Sequence, residues 1–447
     1  MCHKTTSTMT RAIAPIGFTQ QSFENFLAAR SEPGWLTELR RAAWEVFEKT
    51  PMPDRGQEEW RRTDIRGFRL ERFGLPEMPK ADRSTPASVL TQGVELAGQS
   101  VTLNSHPWRA TLQRPWADQG VLFGSLDRLV ASHGDLLRPH LARAVDPYYD
   151  KFAALNAACW TGGTLLYVPR GVTIDRPLHI LRSMTSGGVD FGRTLVVLEE
   201  GAEATLLAET AGTDPEAAGL HCGAVELLVG PGARLRYIDL QNWGTGTWHF
   251  AHHKALVDRD ASLQWTIGAL GSRLAKVNQH VALVGEGADA QVNGVMFTEG
   301  KQHLSYHTLQ HHEKPHCHSD LLYKGALQDK SRLVWRGMIR VEPQAQQTNA
   351  YQRNDNLLLT EHVRVDSIPG LEIEADDVKC SHAATIGRVD DEQIFYAQTR
   401  GFTRKEATRM IVSGFFQQVF DRIALESARE ALGDAIGRRV REYAGGS

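Results

Sequence analysis

The chain has few cysteines for its 447 residues. They stand at Cys2, Cys159, Cys222, Cys317 and Cys380. Residues so few and so far apart form neither a disulfide framework nor a CxxC pair for zinc or for a self-contained cluster. Any metal chemistry must therefore recruit other ligands.

Long apolar runs and an excess of one charge are also absent. Lys and Arg total 50 against 53 Asp and Glu, so there is no broad basic field of the kind that draws nucleic acid or an anionic membrane. No run approaches the roughly 18 apolar residues of a membrane span, and the opening MCHKTTSTMTRAIAPIG lacks the apolar core of a signal peptide. We expect a cytoplasmic protein with neither nucleic acid nor membrane as partner.

Helical patterns lie near both ends of the chain. Apolar residues recur at three-to-four spacing within 19–50, and PMP at 51–53 stops that pattern. A second helical zone spans about 125–158, after a mixed segment punctuated by proline. The helical pattern returns around residue 400 and continues to Tyr443.

The C-terminal helix has a recognisable start. TRKE at 403–406 has the form of a capping box. We expect one side of this helix to be apolar, formed by Met410, Ile411, Phe415, Val419 and Phe420. Gly414 lies inside it at a cost of about 1 kcal/mol relative to alanine, so we expect it to pack closely against another backbone, in this chain or in a partner.

Between these regions the apolar period is two, as in Leu263, Trp265 and Ile267, which alternate with polar residues. Each such strand follows a short turn, and the turn residues are Gly171, Gly201, Gly232, Asp260, Gly287 and Lys330. The first five lie roughly 30 residues apart, and a longer interval containing many histidines precedes the sixth. A near-constant period of this size is typical of a solenoid.

We therefore predict a mainly β fold with a right-handed parallel β-helix as its core. The predicted divisions are an N-terminal helical and mixed region at 1–158, the β-helix at 159–399 and a C-terminal helical region at 400–447.

The stretch HLSYHTLQHHEKPHCHSD holds six histidines, at His303, His307, His311, His312, His316 and His318. Imidazole is a common ligand for iron and zinc. However, the HxH at 316–318 lacks the glutamate that a cupin-like site requires a few residues later, and only Asp320 follows nearby. We predict a row of solvent-facing histidines, with His316 and His318 on the outside of a solenoid turn.

A second candidate is DDVKCSHAATIG at 376–387. In a strand, Cys380 and His382 would share one face a few ångströms apart, which supplies half of a metal site. The competing interpretation is a buried cysteine beside a surface histidine. The acidic residues nearby, Asp376, Asp377, Asp390 and Asp391, are typical of a solvated rim, and no spacing for a self-sufficient enzyme stands out.

Residues 353–402, RNDNLLLTEHVRVDSIPGLEIEADDVKCSHAATIGRVDDEQIFYAQTRGF, resemble the SufB/SufD family of iron-sulfur cluster assembly scaffolds. EEWRRTDI at 58–65, KFAALNAACWTGGTLLYVPRGV at 151–172 and SDLLYKGALQDKSR at 319–332 agree with it. The resemblance covers most of the chain. It implies a β-helix between helical N- and C-terminal parts.

Within the family the chain is most similar to SufD. SufB proteins carry a cysteine after the FY of the segment matching DEQIFYAQTRG, and here that position is Ala397. The resemblance implies that His382, with Cys380 as its neighbour, holds a nascent iron-sulfur cluster across the interface with a SufB-like subunit. Other segments of this chain also resemble SufB proteins.

The resemblance further implies a non-catalytic scaffold. A SufC-like ABC ATPase would dock on the C-terminal helices and hydrolyse ATP. A cysteine desulfurase relay would supply sulfur, and reduced flavin would supply electrons. The alternatives are a SufB-type scaffold and, in another class, a β-helix carbohydrate-active enzyme or acyltransferase.

Overall fold

The computed structural model describes residues 17–77, 85–214, 216 and 218–441. The predicted N-terminal helix is confirmed as two helices, α1 (Gln20–Ala28) and α2 (Gly34–Lys49). The Thr19 hydroxyl caps α1, and α2 ends just before the PMP sequence. The predicted helical end at Tyr443 lies outside the described residues.

The rest of the N-terminal part mixes short helices and strands. Single 3₁₀ turns occupy Glu58–Trp60 and Leu70–Arg72. They are followed by β1 (Gly98–Leu103), β2 (His106–Leu112), α3 (Arg114–Ala117), β3 (Leu122–Ser125), α4 (Leu126–Ser132), α5 (Gly134–Leu137) and α6 (Lys151–Cys159). The second helical zone is thus three short helices rather than one run.

The core of the protein is a parallel β-solenoid of about eight turns, as predicted. Its strands are β4 (Thr164–Val168), β5 (Leu178–Met184), β6 (Val189–Asp190), β7 (Arg193–Leu198), β8 (Glu203–Gly212), β9 (Ala218–Val229), β10 (Arg234–Asn242), β11 (Gly246–Val257), β12 (Ser262–Ala269), β13 (Leu274–Leu283), β14 (Asp289–Thr298), β15 (His303–His312), β16 (His318–Leu327), β17 (Arg332–Val341), β18 (Thr348–Leu358), β19 (Arg364–Ile373) and β20 (Val378–Arg388).

These strands form two long sheets. Sheet A has the order β2-β1-β5-β8-β10-β12-β14-β16-β18-β20, and sheet B has the order β19-β17-β15-β13-β11-β9-β7-β4-β3, with β6 beside β9. Pairing is parallel throughout the solenoid, and only the β1–β2 and β3–β4 pairs at its N-terminal end are antiparallel. Each coil contributes one strand to each sheet.

One corner of every coil has a left-handed backbone, which glycine adopts at no steric cost. The predicted turn residues at this corner are confirmed, with positive φ at Gly171, Gly201, Gly232, Asp260 and Gly287. The prediction for Lys330 is wrong, because this residue lies at a different corner, where Asp329 has φ 64°. The corner sequence instead continues through His316 (φ 59°) and Gln347 (φ 58°), so the period of roughly 30 residues runs unbroken through the His-rich stretch.

Alternate side chains of both sheets fill the interior of the solenoid. The largest of them, Tyr237, Trp265, Tyr306, Tyr323 and Trp335, are all fully buried. Because each strand alternates, the other half of its residues faces outward and requires a separate cover. The N- and C-terminal parts supply it.

The N-terminal part covers the outer face of sheet B. Glu226 on β9 binds the buried Arg193 and accepts hydrogen bonds from the backbone N–H groups of Ala144 and Val145. The fully buried Arg40 of α2 donates to the carbonyls of Ala158 and Trp160. Because these contacts satisfy the buried charges of Glu226 and Arg40, they hold the N-terminal part against the solenoid.

Three helices cover the outer face of sheet A: α7 (Asp391–Thr399), α8 (Arg404–Phe420) and α9 (Glu426–Arg439). The capping box is confirmed, because Thr403 and Glu406 exchange hydrogen bonds. The helical region begins at Asp391, earlier than predicted, since Asp390 caps α7. In the described part of the chain, no helix has both the length and the apolar character to cross a membrane.

Candidate functional site

The two ends of the solenoid differ. At the N-terminal end the sheets finish with the antiparallel strands β2 and β3, whereas at the C-terminal end they finish with the parallel strands β20 and β19. Among the described residues no strand pairs with their outer edges. Two edges of 10 and 11 residues are therefore left with unpaired backbone groups, a situation that proteins normally avoid.

Cys380 and His382 belong to the row of β20 that points toward the solenoid axis. Cys380 aligns with Ala350 on β18, and His382 aligns with Gln352. Gln352 is fully buried and donates to the carbonyl of Gly370 on β19, which places it inside the coil. The same row continues through Ala384 and Ile386. These residues face inward yet lie exposed, because no further coil covers them.

The two candidate ligands differ in environment. His382 is exposed and makes no side-chain hydrogen bond to a described residue. Cys380 is half-buried against the small apolar cluster that includes Ile339 and Ala350. Burial raises the pKa of the Cys380 thiol above its ordinary value, despite a hydrogen bond from the Ala350 backbone, so at neutral pH it is a protonated thiol.

Both side chains lie on one face, about 6.5 Å apart along the strand. An exposed imidazole is a ready donor to iron, while a protonated thiol becomes a ligand only when a metal or cation lowers its pKa. The described residues contain no cluster of three or more histidine, cysteine or acidic side chains that could hold a metal ion alone. By itself, this pair offers two side chains to a metal ion.

The open end is also apolar. Leu371 and Ile373 on the inward row of β19 are 37% and 38% exposed, and Ile386 on β20 is 52% exposed. No motif in the sequence singles these residues out. The repeat pattern could have identified them, because the inward-facing apolar residues of a last repeat are uncovered when no repeat follows.

The acidic residues near this end form a solvated rim, as predicted. Asp376, Asp377, Asp390 and Asp391 are all exposed. Asp390 accepts a hydrogen bond from the Glu392 backbone as the cap of α7, and Asp391 pairs with Arg404 at 3.0 Å. These contacts give the two aspartates structural roles.

The HxH of the His-rich stretch is a solenoid corner. His316 takes the left-handed position that glycine occupies in earlier coils, and its side chain is 52% exposed. His318, the first residue of β16, is 48% exposed and pairs with Asp289 at 2.7 Å. The predicted solvent-side placement of both histidines is confirmed.

For the other four histidines the solvent-facing prediction is wrong. His312 is fully buried and bonds the Ser319 hydroxyl at 2.8 Å inside the solenoid. His307 lies under the N-terminal part, 2.6 Å from Glu59. His311 contacts Glu342, and His303 is largely buried. His303, His307 and His311 lie four residues apart on the outward face of β15, and His312 lies on its inward face, so the six imidazoles do not converge.

The face predicted for α8 is divided by the structure. Val419 and Phe420 are buried against sheet A, Ile411 and Phe415 are half-buried, and Met410 is 53% exposed. Gly414 does not pack against this chain, because a Cβ there would meet nothing within 4 Å.

The helices nevertheless expose a separate apolar surface. Its residues are Phe395 and Tyr396 of α7, Phe402 of the connection and Met410 of α8, between 42% and 68% exposed. Ala397 lies on α7, half-buried against the helical cluster. A cysteine at position 397 would therefore occupy α7 rather than the open strand edge.

The fold defines a class of protein: a parallel β-solenoid whose last coil is uncovered, with helices over the outer faces of both sheets. Two family models match the chain, the SUF system FeS cluster assembly SufBD core domain over residues 181–415 and the SufBD protein N-terminal region over residues 20–180. The chain belongs to the SufBD family of iron-sulfur cluster assembly proteins.

Individual relatives agree along almost the whole length. An iron-sulfur cluster assembly SufBD family protein of Staphylococcus epidermidis is 28% identical over 425 residues, covering 93% of this chain and 91% of the relative. Proteins of the same description from Staphylococcus saprophyticus and Staphylococcus aureus are 28% and 27% identical with the same coverage.

Proposed function

We propose that this chain is the SufD-like subunit of a SUF complex and that it pairs with a SufB-like subunit through the open end of its solenoid. The observation that carries the proposal is the inward-facing row of β20, which presents His382 and Cys380 at an uncovered edge. A partner strand laid on this edge would satisfy the free backbone groups and cover Ile386, Leu371 and Ile373.

A nascent iron-sulfur cluster at this interface is cargo. One imidazole and one adjacent thiol form an incomplete shell, which suits a cluster that must later leave. Sulfur would arrive from a cysteine desulfurase relay and electrons from reduced flavin, and neither step requires a site on this chain. The chain would itself be a non-catalytic scaffold.

A SufC-like ABC ATPase would dock on the apolar surface formed by Phe395, Tyr396, Phe402 and Met410, and ATP hydrolysis would belong to that partner. These four side chains are exposed although the same helices bury others efficiently, which is typical of a contact surface. Gly414, with open space around it, would admit a close backbone approach from the partner.

A SufB-type scaffold is the second candidate. It requires a sulfur acceptor, and the position that carries one by resemblance is Ala397. Membership of the SufBD family argues against the alternative of a β-helix carbohydrate-active enzyme or acyltransferase.

The test is cluster assembly on the complex co-expressed with a SufB-like subunit and a SufC-like ATPase. We expect His382→Ala to leave the complex assembled and to lower iron and sulfide content after anaerobic reconstitution by about tenfold or more, because one exposed ligand is lost. Cys380→Ala should have a smaller effect, since that thiol is half-buried and protonated.

The control is the double variant His316→Gln and His318→Gln, which removes two exposed histidines from a solenoid corner. It should retain normal iron and sulfide. Normal cluster content in His382→Ala would remove His382 from the site, and an equal loss in the control would transfer the role to the His-rich stretch.

A further inference from the structure

A surface pocket of about 460 Å³ lies where the N-terminal part meets a corner of the solenoid. The loop with Asp64 and Arg66 forms one side. Arg273 and Lys301 form the other, in the turns that lead into β13 and β15 of successive coils. The pocket lies on the sheet B side and is separate from the Cys380 and His382 row.

The charges that line the pocket do not cancel. Asp64 and Arg66 pair with each other at 2.8 Å, and hydrogen bonds from Arg66 lower the pKa of Asp64 to about 2. Arg273 and Lys301 are exposed, and neither lies within 4.0 Å of a carboxylate oxygen of a described residue. The pocket therefore has two cations beyond those that its own carboxylate neutralises.

One of these cations is held in place. The Arg273 guanidinium carbon lies 5.0 Å from the centroid of the Trp248 ring, and Trp248 in turn packs against Phe68. A guanidinium fixed over an aromatic ring retains its N–H donors for a ligand at a reduced entropic cost.

His303 adds a polar group at the pocket wall. Its Nε2 is buried and makes no hydrogen bond to a described residue. Burial and the nearby charge of Arg332 lower the pKa of His303 to about 4, so the ring is neutral at physiological pH. The Arg332 charge is compensated by Asp366 at 2.9 Å.

We propose that this pocket binds a small molecule through a phosphate or pyrophosphate group, with Arg273 and Lys301 as the charged contacts and His303 as a hydrogen-bonding partner. Two uncompensated cations match the charge of a phosphate dianion, and a guanidinium fork matches the spacing of its oxygens.

The experiment is isothermal titration calorimetry of the full chain with inorganic pyrophosphate at low ionic strength. We expect saturable one-to-one binding by the unmodified chain and at least about tenfold weaker binding by the double variant Arg273→Gln and Lys301→Gln. His303→Leu should weaken binding by a smaller factor without changing the net charge of neutral protein.

The matched control is the double variant Arg259→Gln and Lys314→Gln. It removes the same two residue types from exposed turns outside the pocket, so its net charge equals that of the first double variant. It should bind pyrophosphate as the unmodified chain does. The thermal unfolding midpoint of each variant without ligand checks that the fold is retained.

Three results would overturn the proposal. They are absence of saturable binding to the unmodified chain, an equal loss of affinity in the control variant, and binding of succinate as tightly as pyrophosphate. The last result would show a general anion site without preference for phosphate.

Discussion

His316 illustrates how one residue can suggest a ligand and serve another purpose. Its HxH spacing resembles a metal motif, yet its backbone takes the left-handed corner that Gly287 takes one coil earlier and Gln347 one coil later. A residue at this corner must tolerate positive φ, and the His316 side chain points outward beside Glu286, 3.8 Å from its carboxylate.

Substitutions at His316 should therefore follow backbone preference. We expect His316→Gly to leave the urea unfolding midpoint unchanged or slightly raised, and His316→Val to destabilise the chain by about 1–2 kcal/mol, because β-branched residues disfavour positive φ. Equal stability of the glycine and valine variants would contradict this account. His318→Val serves as control, since β16 begins at that residue with ordinary extended backbone.

His307 couples the N-terminal part to pH. Burial lowers its pKa to about 4, while Glu59, Lys276 and Arg336 all face it. The folded value lies below the ordinary 6.5, so the unfolded chain binds more protons between pH 6.5 and 4. The contribution of His307 to the free energy of unfolding is fully present above pH 6.5 and falls by on the order of 3 kcal/mol as the pH drops from 6.5 to 4.

The His307→Gln variant should consequently show a smaller fall in urea unfolding midpoint between pH 7 and pH 4.5 than the unmodified chain. Glutamine can still donate to Glu59 but does not titrate. His318→Gln removes an exposed histidine instead and should leave the fall unchanged. If the unmodified chain and His307→Gln respond equally to pH, another group controls the acid sensitivity.

The positions of Cys380 and His382 on one strand face were predictable, because the side-chain period of a strand is two. Their exposure was not predictable. It depends on whether another coil follows, and the alternation within β20 is the same in either case. For the same reason the alternation within β15 could not show which of its histidines lie beneath the N-terminal part.

At the scale of elements, α8 shows the limit of periodicity. The helix has two apolar faces: Val412, Phe416 and Val419 pack on sheet A, whereas Met410 remains exposed. Spacing of three to four residues identifies an amphipathic helix but does not distinguish a face for the core from a face for a partner. Its capping box, a purely local signal, was predicted correctly.

This packing decides how ATPase docking should be tested. Truncation after Gly401 would strip the cover from Leu240 and Phe297 on sheet A and destabilise the chain itself. The double variant Phe402→Glu and Met410→Glu alters only exposed positions. We expect it to lower affinity for the SufC-like ATPase by at least about tenfold, measured by calorimetry, because two charges enter an apolar contact.

Pairing with the SufB-like chain should be unaffected by that variant. Glu substitutions at Met52 and Leu136, which are exposed apolar residues of the N-terminal part, provide the control and should leave ATPase binding intact. Unchanged ATPase affinity in Phe402→Glu and Met410→Glu would place the docking surface elsewhere.

At the scale of the whole molecule, the open end predicts association. The double variant Leu371→Lys and Ile386→Lys should abolish pairing with the SufB-like chain, because two ammonium groups would be buried without partners. Its circular dichroism spectrum should stay normal, since both residues are exposed in the single chain. Light-scattering mass of the co-expressed pair measures the outcome, and a pair of full mass would exclude this end as the interface.

The architecture was largely predictable from sequence because a solenoid repeats. Glycine or aspartate at the first five corners and alternating residues along each strand recur coil after coil, so the same local pattern is seen many times. The arrangement of the flanking parts was not predictable. The hydrogen bond from the Ala144 backbone to Glu226 and that from Lys324 to the Phe415 carbonyl connect distant segments, and no periodicity predicts them.

The C-terminal helices are attached to sheet A at strands that belong to different coils. Lys324 of β16 donates to the Phe415 carbonyl, and Arg439 of α9 donates to Asn242 of β10 at 2.6 Å, so the attachment spans several coils. We expect a partner that displaces α8 to move these stacked strands with it. β20 lies two strands beyond Lys324 in the same sheet, so we expect such a movement to reach the edge that carries His382.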